Sequence, residues 1–465
     1  MSDGTAAVDA AVRRFYAYRV AMGAGFTSSF LVAFLAARDV SFTAVGVGIA
    51  ALSVVNVVGE VPAGYVGDRW GRRLSMLLAS ATYAVIGVGW LVARTAPAVV
   101  ALYALSGVAV SFQSGAASSW LYETLAEFDA TERYSAVAGR SLSLLRWTQV
   151  VTTLVGAGLF VLAPTYPFVA SALAGVVALA VTWTLPATER FRDDGERDRS
   201  SDEVEDGPGG ERVGPLAAVR AMRTFVRKPA VRTMLAFSGA FASAIVVAGR
   251  YVQPVVDRAV RADGLAVASV DVPGVVVLGV VGATYTAASA LVVDQADALE
   301  SRVGRGPAIA GTYGTCAVAM LAPAAAWYGP VPLVTAAAVA AVGFQSLPSV
   351  ASVLRDAYLH EHAPSLTRAT TMSAVALALS LVRLPVVLAG GVLADALSPA
   401  AAVVGAGASA LLVGAGIVAV DGPLTVASTD GTDASENTNA SENTNASENT
   451  NASENEGGET ESTAD

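Results

Sequence analysis

Four charged side chains interrupt long apolar stretches of the chain, and they are Glu60, Arg146, Asp294 and Arg383. A charge inside an apolar span is costly and usually faces a cavity or a partner of opposite charge. A carboxylate in such surroundings binds a proton more tightly than one in water. We therefore consider Glu60 and Asp294 as candidates for proton coupling. The alternatives are a helix-packing role for Glu60 and a place at the water interface for Asp294.

Three short matches in the same order indicate an internal repeat with offsets of 232, 233 and 237 residues. The matched pairs are Phe112-Gln113-Ser114 with Phe344-Gln345-Ser346, Arg69-x-Gly71-Arg72 with Arg302-x-Gly304-Arg305, and Leu142-Ser-Leu-Leu-Arg146 with Leu379-Ser-Leu-Val-Arg383. Such repeats are typical of transporters built from two related halves. Gln113 and Gln345 therefore share a position, where their amides contact a substrate or hold helices together.

Composition places most of the chain in a membrane. Hydrophobic types make up 54% of the residues and charged types only 15%, against about 25% charged in a soluble protein. Only helices satisfy the backbone in such apolar runs. A bilayer needs roughly 20 residues per helix, which predicts an all-α polytopic protein with twelve spans at about 15–37, 42–66, 74–94, 97–121, 139–163, 165–185, 231–255, 271–295, 307–328, 331–354, 369–394 and 399–420.

Arginine placement predicts the orientation of these spans. Cytoplasmic segments of membrane proteins carry the excess of Lys and Arg. The segments on one side hold most of the arginines, whereas those on the other hold Arg38, Arg94, Arg258 and Arg261. We therefore expect a multi-pass plasma-membrane protein with both termini in the cytoplasm.

A charged motif lies between the second and third spans and runs Gly64-x-x-x-Asp68-Arg69-x-Gly71-Arg72-Arg73. It resembles the loop between helices 2 and 3 of the major facilitator superfamily, and the resemblance extends over about 15–420. It implies twelve transmembrane helices in two pseudo-symmetric six-helix halves. The likeness is to a prokaryotic branch, and the single lysine with the acidic tail suggests a haloarchaeal source.

In that family the loop is a conformational latch. The resemblance implies that Asp68 contacts the N-terminal end of helix 11, where the helix dipole favours a carboxylate. It implies that the arginines pair with Glu123 and Glu127. The alternative is a fully solvated loop. The predicted latch comprises Gly64, Asp68, Arg69, Gly71, Arg72 and Arg73.

The resemblance also implies a central cavity lined by helices 5 and 11, which carry Arg146 and Arg383. Two cations there predict an anionic or carboxylated substrate, or charge pairing while the halves rock. The alternative is that each arginine pairs with a neighbouring carboxylate or carbonyl. The further cavity candidates are Arg19, Gln113, Arg250 and Gln345.

The predicted organisation is an N-terminal half over 1–185, a partly disordered cytoplasmic linker over 186–230, a C-terminal half over 231–420 and a disordered acidic tail over 421–465. His360, Glu361 and His362 show no catalytic spacing and predict a solvated loop. The single cysteine, Cys316, excludes a disulfide framework or a Cys-rich metal site, and we expect neither metal nor cofactor.

These observations predict a secondary active transporter and not an enzyme. It would move a small molecule by alternating access, coupled to a proton or Na⁺ gradient, in drug or metabolite efflux or in uptake of an organic anion. The alternative is a non-transporting receptor or scaffold with the same fold. The expected partners are the substrate, the coupling ion and the lipid bilayer, with no nucleic acid, and the expected state is a monomer.

Overall fold

The computed structural model describes residues 2–187, 227–264, 266–267, 270–324, 332–362 and 368–421. The described residues all belong to one compact unit. Most of the linker predicted over 186–230 and nearly all of the tail predicted over 421–465 lie outside the described residues.

The described chain is mostly helical, and its described strands form one short antiparallel hairpin, in which β1 (Ala266–Val267) pairs with β2 (Val270–Asp271). The helices are α1 Ser2–Met22, α2 Leu31–Ala36, α3 Phe42–Trp70, α4 Arg72–Val92, α5 Ala96–Gln113, α6 Ala116–Glu127, α7 Tyr134–Leu162, α8 Tyr166–Trp183, α9 Pro229–Asp263, α10 Gly274–Val293, α11 Ala296–Val303, α12 Arg305–Ala319, α13 Leu333–Ser346, α14 Pro348–His362, α15 Arg368–Ala396 and α16 Pro399–Asp421.

Nine helical stretches of the described chain are long and apolar enough to cross a bilayer. They are Phe42–Trp70, Arg72–Val92, Ala96–Glu127, Thr131–Leu162, Tyr166–Trp183, Val231–Ala262, Gly274–Val293, Val375–Ala396 and Pro399–Val420. Large apolar side chains such as Val61 and Leu412 are exposed on them, as lipid-facing residues are. The other three predicted spans, 15–37, 307–328 and 331–354, are interrupted or leave the described residues, so the count of twelve stays a prediction.

The prediction of one continuous helix over 15–37 is wrong, because the chain unwinds between Met22 and Leu31. Gly23 permits close packing there, since a Cβ at this residue would lie 2.7 Å from the carbonyl oxygen of Leu145. The freed backbone groups find partners on two neighbouring helices. The amide of Gly25 donates to the hydroxyl of Thr152 in α7 at 2.8 Å, and α9 supplies the buried side chain of Gln253.

The internal repeat seen in the sequence recurs in the backbone. Gly71 separates α3 from α4 with φ +91° and ψ 148°, and Gly304 separates α11 from α12 with φ +82° and ψ 157°. This region of backbone space is essentially restricted to glycine. Both copies of Phe-Gln-Ser also end a half-helix, since α5 stops at Gln113 and α13 stops at Ser346.

We name the two faces of the bundle after residues at the two ends of α3. The Phe42 face holds the start of α3 and the end of α15, which meet in the contacts described below. The Gly71 face holds the end of α3 and the start of α4. The helix α10 starts beside Asp257, which lies near the end of α9 at the Phe42 face. From there the chain runs through α10 and α11 to the opposite end of the bundle, so Gly304 lies at the Gly71 face.

Candidate functional site

Arg72 is the centre of an ion-pair cluster on the Gly71 face. Its guanidinium lies 2.6 Å from Oδ1 of Asp68 and 3.3 Å from Oε1 of Glu123. The turn at Gly71 allows this, because it ends α3 and starts α4 within one residue. The structure therefore brings three of the predicted latch residues together with one of the two predicted partners.

The other arginines of the motif differ from one another. Arg73 donates to the carbonyl of Trp183 and lies 5.7 Å from the centroid of its ring. The prediction that this arginine pairs with a carboxylate is thus replaced by a contact with the C-terminal end of α8, where carbonyls lack helical partners. Arg69 is exposed in the last turn of α3, and Glu127 ends α6.

The predicted contact of Asp68 with the start of helix 11 stays a prediction. Asp68 pairs with Arg72 in this structure, and the side chains of the first turns of α15 lie outside the described residues. Gly64 borders open space, since nothing lies within 4 Å of a Cβ built there.

Arg305 is the centre of a second cluster, with its guanidinium 2.6 Å from Glu300 and in direct contact with Glu361. The hydrogen bond to Glu361 is the main reason that the pKa of Arg305 lies above its ordinary value. The prediction of a solvated loop for Glu361 is wrong, because it lies in α14 and binds this arginine. The repeat offset was the missed signal, since Glu300 stands 232 residues after Asp68 and Glu361 stands 238 after Glu123.

None of the four predicted cavity arginines has an ion-pair partner among the described residues: Arg19, Arg250 and Arg383 are half-buried, and Arg146 is exposed. The Nε atoms of Arg19 and Arg383 are buried and make no hydrogen bond. The end of α1 touches α7 next to Arg146, since a Cβ at Gly23 would lie 2.7 Å from the carbonyl oxygen of Leu145. The charges of Arg19 and Arg146 therefore act on each other.

The two repeated glutamines take different roles. The side chain of Gln113 accepts a hydrogen bond from the hydroxyl of Tyr83 at 3.2 Å and joins α5 to α4. Gln345 lines a narrow cavity with Gln253, and its backbone carbonyl accepts from the hydroxyl of Ser289 at 3.3 Å. Arg250, half-buried on α9, interacts electrostatically with two tyrosine side chains.

Glu60 lines a polar cavity of about 210 Å³ between α3, the start of α4 and the break between α5 and α6. The cavity residues are Glu60, Ala63, Gly64, Arg72, Ser75, Ser111, Phe112, Ser114 and Ala116. Asp294, the rough counterpart of Glu60, directly follows the end of α10 and is exposed. Glu60 is exposed as well, so the two carboxylates differ in that Glu60 lies within a helix and lines a cavity, whereas Asp294 stands at a helix end.

The Phe42 face is closed by hydrogen bonds between two parts of the chain. Side chains of the helices after residue 227 bind the backbone of the helices before residue 187. The carboxylate of Asp395 accepts from the amides of Phe42 and Thr43 at 2.8 and 2.7 Å and from the hydroxyl of Thr43 at 2.5 Å. The hydroxyl of Tyr251 donates to the carbonyl of Phe42 at 3.1 Å. No sequence signal singled out Asp395, which stands at the end of an apolar run.

Gln253 extends this closure to the unwound segment between α1 and α2. Its Nε2 atom donates to the carbonyl of Ser28 at 3.0 Å, and its Oε1 atom accepts from the amide of Val32 at 2.9 Å. Only 5% of Gln253 is exposed. One buried amide side chain thereby satisfies one carbonyl and one amide of the broken helix and helps to close the Phe42 face.

Comparison with known proteins gives one family and one fold. The family model of the Major Facilitator Superfamily matches residues 19–270. A solved structure of the nucleoside transporter NupG is similar with a TM-score of 0.68 and 11% identity, covering 88% of this chain and 97% of that one. No curated protein sequence matches the chain.

Two further solved structures share the architecture. An auto-inhibited POT family peptide transporter gives a TM-score of 0.61 at 13% identity, covering 88% of this chain and 95% of that one. A D-xylose-proton symporter gives 0.57 at 16% identity, covering 88% and 96%.

Proposed function

The chain belongs to the Major Facilitator Superfamily, and from this premise we propose that it transports a small organic anion by alternating access, driven by a cation gradient. Its place among secondary transporters follows from the family and from the transporter fold it shares with solved structures. The substrate, the coupling and the direction of closure are proposed here from the geometry.

The observation that carries the proposal is the pair of half-buried arginines without a described counter-charge, Arg19 and Arg383, with the exposed Arg146 close enough for its charge to act on Arg19. An uncompensated charge away from water is destabilising, so a protein that keeps one usually provides a ligand of opposite charge. A guanidinium binds a carboxylate or phosphate through two parallel hydrogen bonds. The buried Nε atoms of Arg19 and Arg383 are donors available for such an anion.

The closed Phe42 face supports alternating access. Asp395, Tyr251 and Gln253 join residues on either side of the central linker at this face, and at the Gly71 face the Arg72 and Arg305 clusters each brace one side only. The arginine-rich Gly71 face would be cytoplasmic under the positive-inside rule. With this orientation in the plasma membrane, the closed Phe42 face would be the outer one, and the proposed state is closed to the outside.

Binding by the purified protein tests the anion directly. We expect succinate, citrate or glycerol phosphate to raise the melting temperature, whereas uncharged xylose and uridine leave it unchanged. Arg146→Gln and Arg383→Gln each lose a charge-assisted hydrogen bond, worth roughly 1.5–3 kcal/mol. Each change should therefore weaken anion binding by about tenfold or more.

Matched variants separate this effect from misfolding. Arg146→Lys keeps the charge and should retain part of the affinity, and Arg94→Gln changes an exposed arginine outside the interior and should have no effect. Anion selectivity that survives in both glutamine variants would refute the proposed substrate site. Accumulation in right-side-out or in inverted vesicles then distinguishes uptake from export.

A further inference from the structure

We infer that the cavity beside Glu60 is the site of the coupling cation and that this cation is Na⁺. The inference rests on the proposed cation-driven transport and names its ion. It starts from the oxygen-rich wall of the cavity, where the carboxylate of Glu60 stands with the hydroxyls of Ser75, Ser111 and Ser114. Carboxylate, hydroxyl and carbonyl oxygens are the ligands that hard cations prefer.

The charges around the cavity favour a cation. Arg72 lines it, but its guanidinium is already engaged by Asp68 and Glu123. Glu60 is the other charged residue on the cavity wall, and it forms no ion pair among the described residues. The half-helices α5 and α6 meet there with opposite ends of their dipoles, so the carboxylates decide the sign of the field.

Ser75 supplies an independent indication of a ligand. It is only 2% exposed, lines the cavity, and its hydroxyl has no hydrogen-bond partner. Buried polar groups in native proteins are nearly always satisfied, and an unsatisfied one calls for a bound water or ion. A cation in the cavity would take the Ser75 oxygen as a ligand.

The helix break provides further oxygens. Because α5 stops at Gln113 and α6 starts at Ala116, the last carbonyls of α5 have no helical partners. Phe112 and Ser114 both lie on the cavity wall. Broken helices in transporters use such unwound carbonyls to coordinate Na⁺.

The ligand set favours a monovalent ion. A single carboxylate, Glu60, is free of an arginine partner in the cavity, and the described residues contain no group of three His, Cys, Asp or Glu side chains that could hold a metal ion. The volume of about 210 Å³ exceeds the roughly 30 Å³ share of one water several-fold, so a partly hydrated ion fits.

The test is a melting-temperature titration of the purified full-length protein with NaCl against choline chloride at constant ionic strength, without substrate. We expect Na⁺ to raise the melting temperature of the wild type. Glu60→Gln should abolish the shift, and Ser75→Ala should raise the Na⁺ concentration at half-effect about tenfold. Asp294→Asn, the matched carboxylate at the equivalent repeat position, should leave the titration unchanged.

Two outcomes would overturn the sodium site. One is an equal Na⁺ response in the wild type, Glu60→Gln and Ser75→Ala. The other is that the melting temperature of the wild type does not respond to Na⁺. If it instead responds to pH and this response depends on Glu60, the cavity binds a proton. Either leaves the proposed anion transport standing if Arg146→Gln and Arg383→Gln still lose anion binding. Loss of anion selectivity with a retained Na⁺ response would refute the substrate and keep the ion.

Discussion

The two faces of the bundle differ in whether their contacts join the earlier helices to the later ones. At the Phe42 face, side chains of the later helices bind the backbone of the earlier ones through Asp395, Tyr251 and Gln253. At the Gly71 face, Arg72 and Arg305 each bind acidic residues of their own side of the chain. Hydrogen bonds that join the earlier helices to the later ones must break when a face opens, whereas ion pairs within the earlier or within the later helices can persist. The comparison indicates which contacts hold one conformation and which hold the fold.

The Gly71 face contains a second comparison, between the two arginine clusters themselves. Gly71 and Gly304 share a backbone conformation, and each precedes an arginine bound by two carboxylates. Only Arg72 borders the cavity of Glu60. The two sides also differ in their helices, because α3 continues past Glu60, whereas α10 stops at Val293, directly before the counterpart Asp294; both carboxylates are exposed. The same glycine turn followed by an arginine ion pair therefore occurs in two different local environments.

Removing Asp395 should have the largest effect on the comparison of faces. Asp395→Ala deletes three hydrogen bonds to a carboxylate, and bonds to charged groups are worth roughly 1.5–3 kcal/mol each. We expect the closed Phe42 face to open, so that a cysteine introduced at buried Ala44 reacts with a maleimide at least about tenfold faster. Labelling at an unchanged rate would show that Asp395 does not hold this face closed.

The matched control is Asp39→Asn, which changes an exposed acid close to the same face and should leave the labelling rate unaltered. The native Cys316 does not interfere, because it is buried.

Removing the central arginine should affect the two clusters differently. Arg72→Gln and Arg305→Gln each lose partly buried ion pairs, and we expect each to destabilise the protein by about 1 kcal/mol. Only Arg72→Gln makes the Glu60 cavity more negative, so only this variant should bind Na⁺ several-fold more tightly in the melting-temperature titration. An equal gain in Arg305→Gln would contradict the distinction between the clusters.

The glycine turns at Gly71 and Gly304 should respond alike. Gly71→Ala and Gly304→Ala place a side chain in a backbone region that disfavours it, at a cost of about 1–3 kcal/mol. We expect both to lower the melting temperature by a few degrees. Gly311→Ala, within α12 and with open space around a Cβ, should leave it unchanged or raise it slightly. Tolerance at one turn only would show that the two turns are not equivalent.

Much of the fold could be predicted from the sequence, because its signals are local. Apolar runs predicted the nine membrane-crossing stretches now described, and the motif around Arg72 predicted the family. The breaks in the helices were not predicted. The unwinding after Met22 depends on partners supplied by α7 and α9, so its glycines alone do not reveal it.

The sequence by itself determined that this protein spans a membrane, that it belongs to its family, and that its turns at Gly71 and Gly304 repeat. These properties follow from composition and from short motifs, whose physics acts within a few residues. The tertiary structure alone decided that Asp395 binds Phe42, that Glu361 binds Arg305, and that Glu60 shares a cavity with Ser75. Such contacts join residues that only packing brings together, and no periodicity along the chain encodes them.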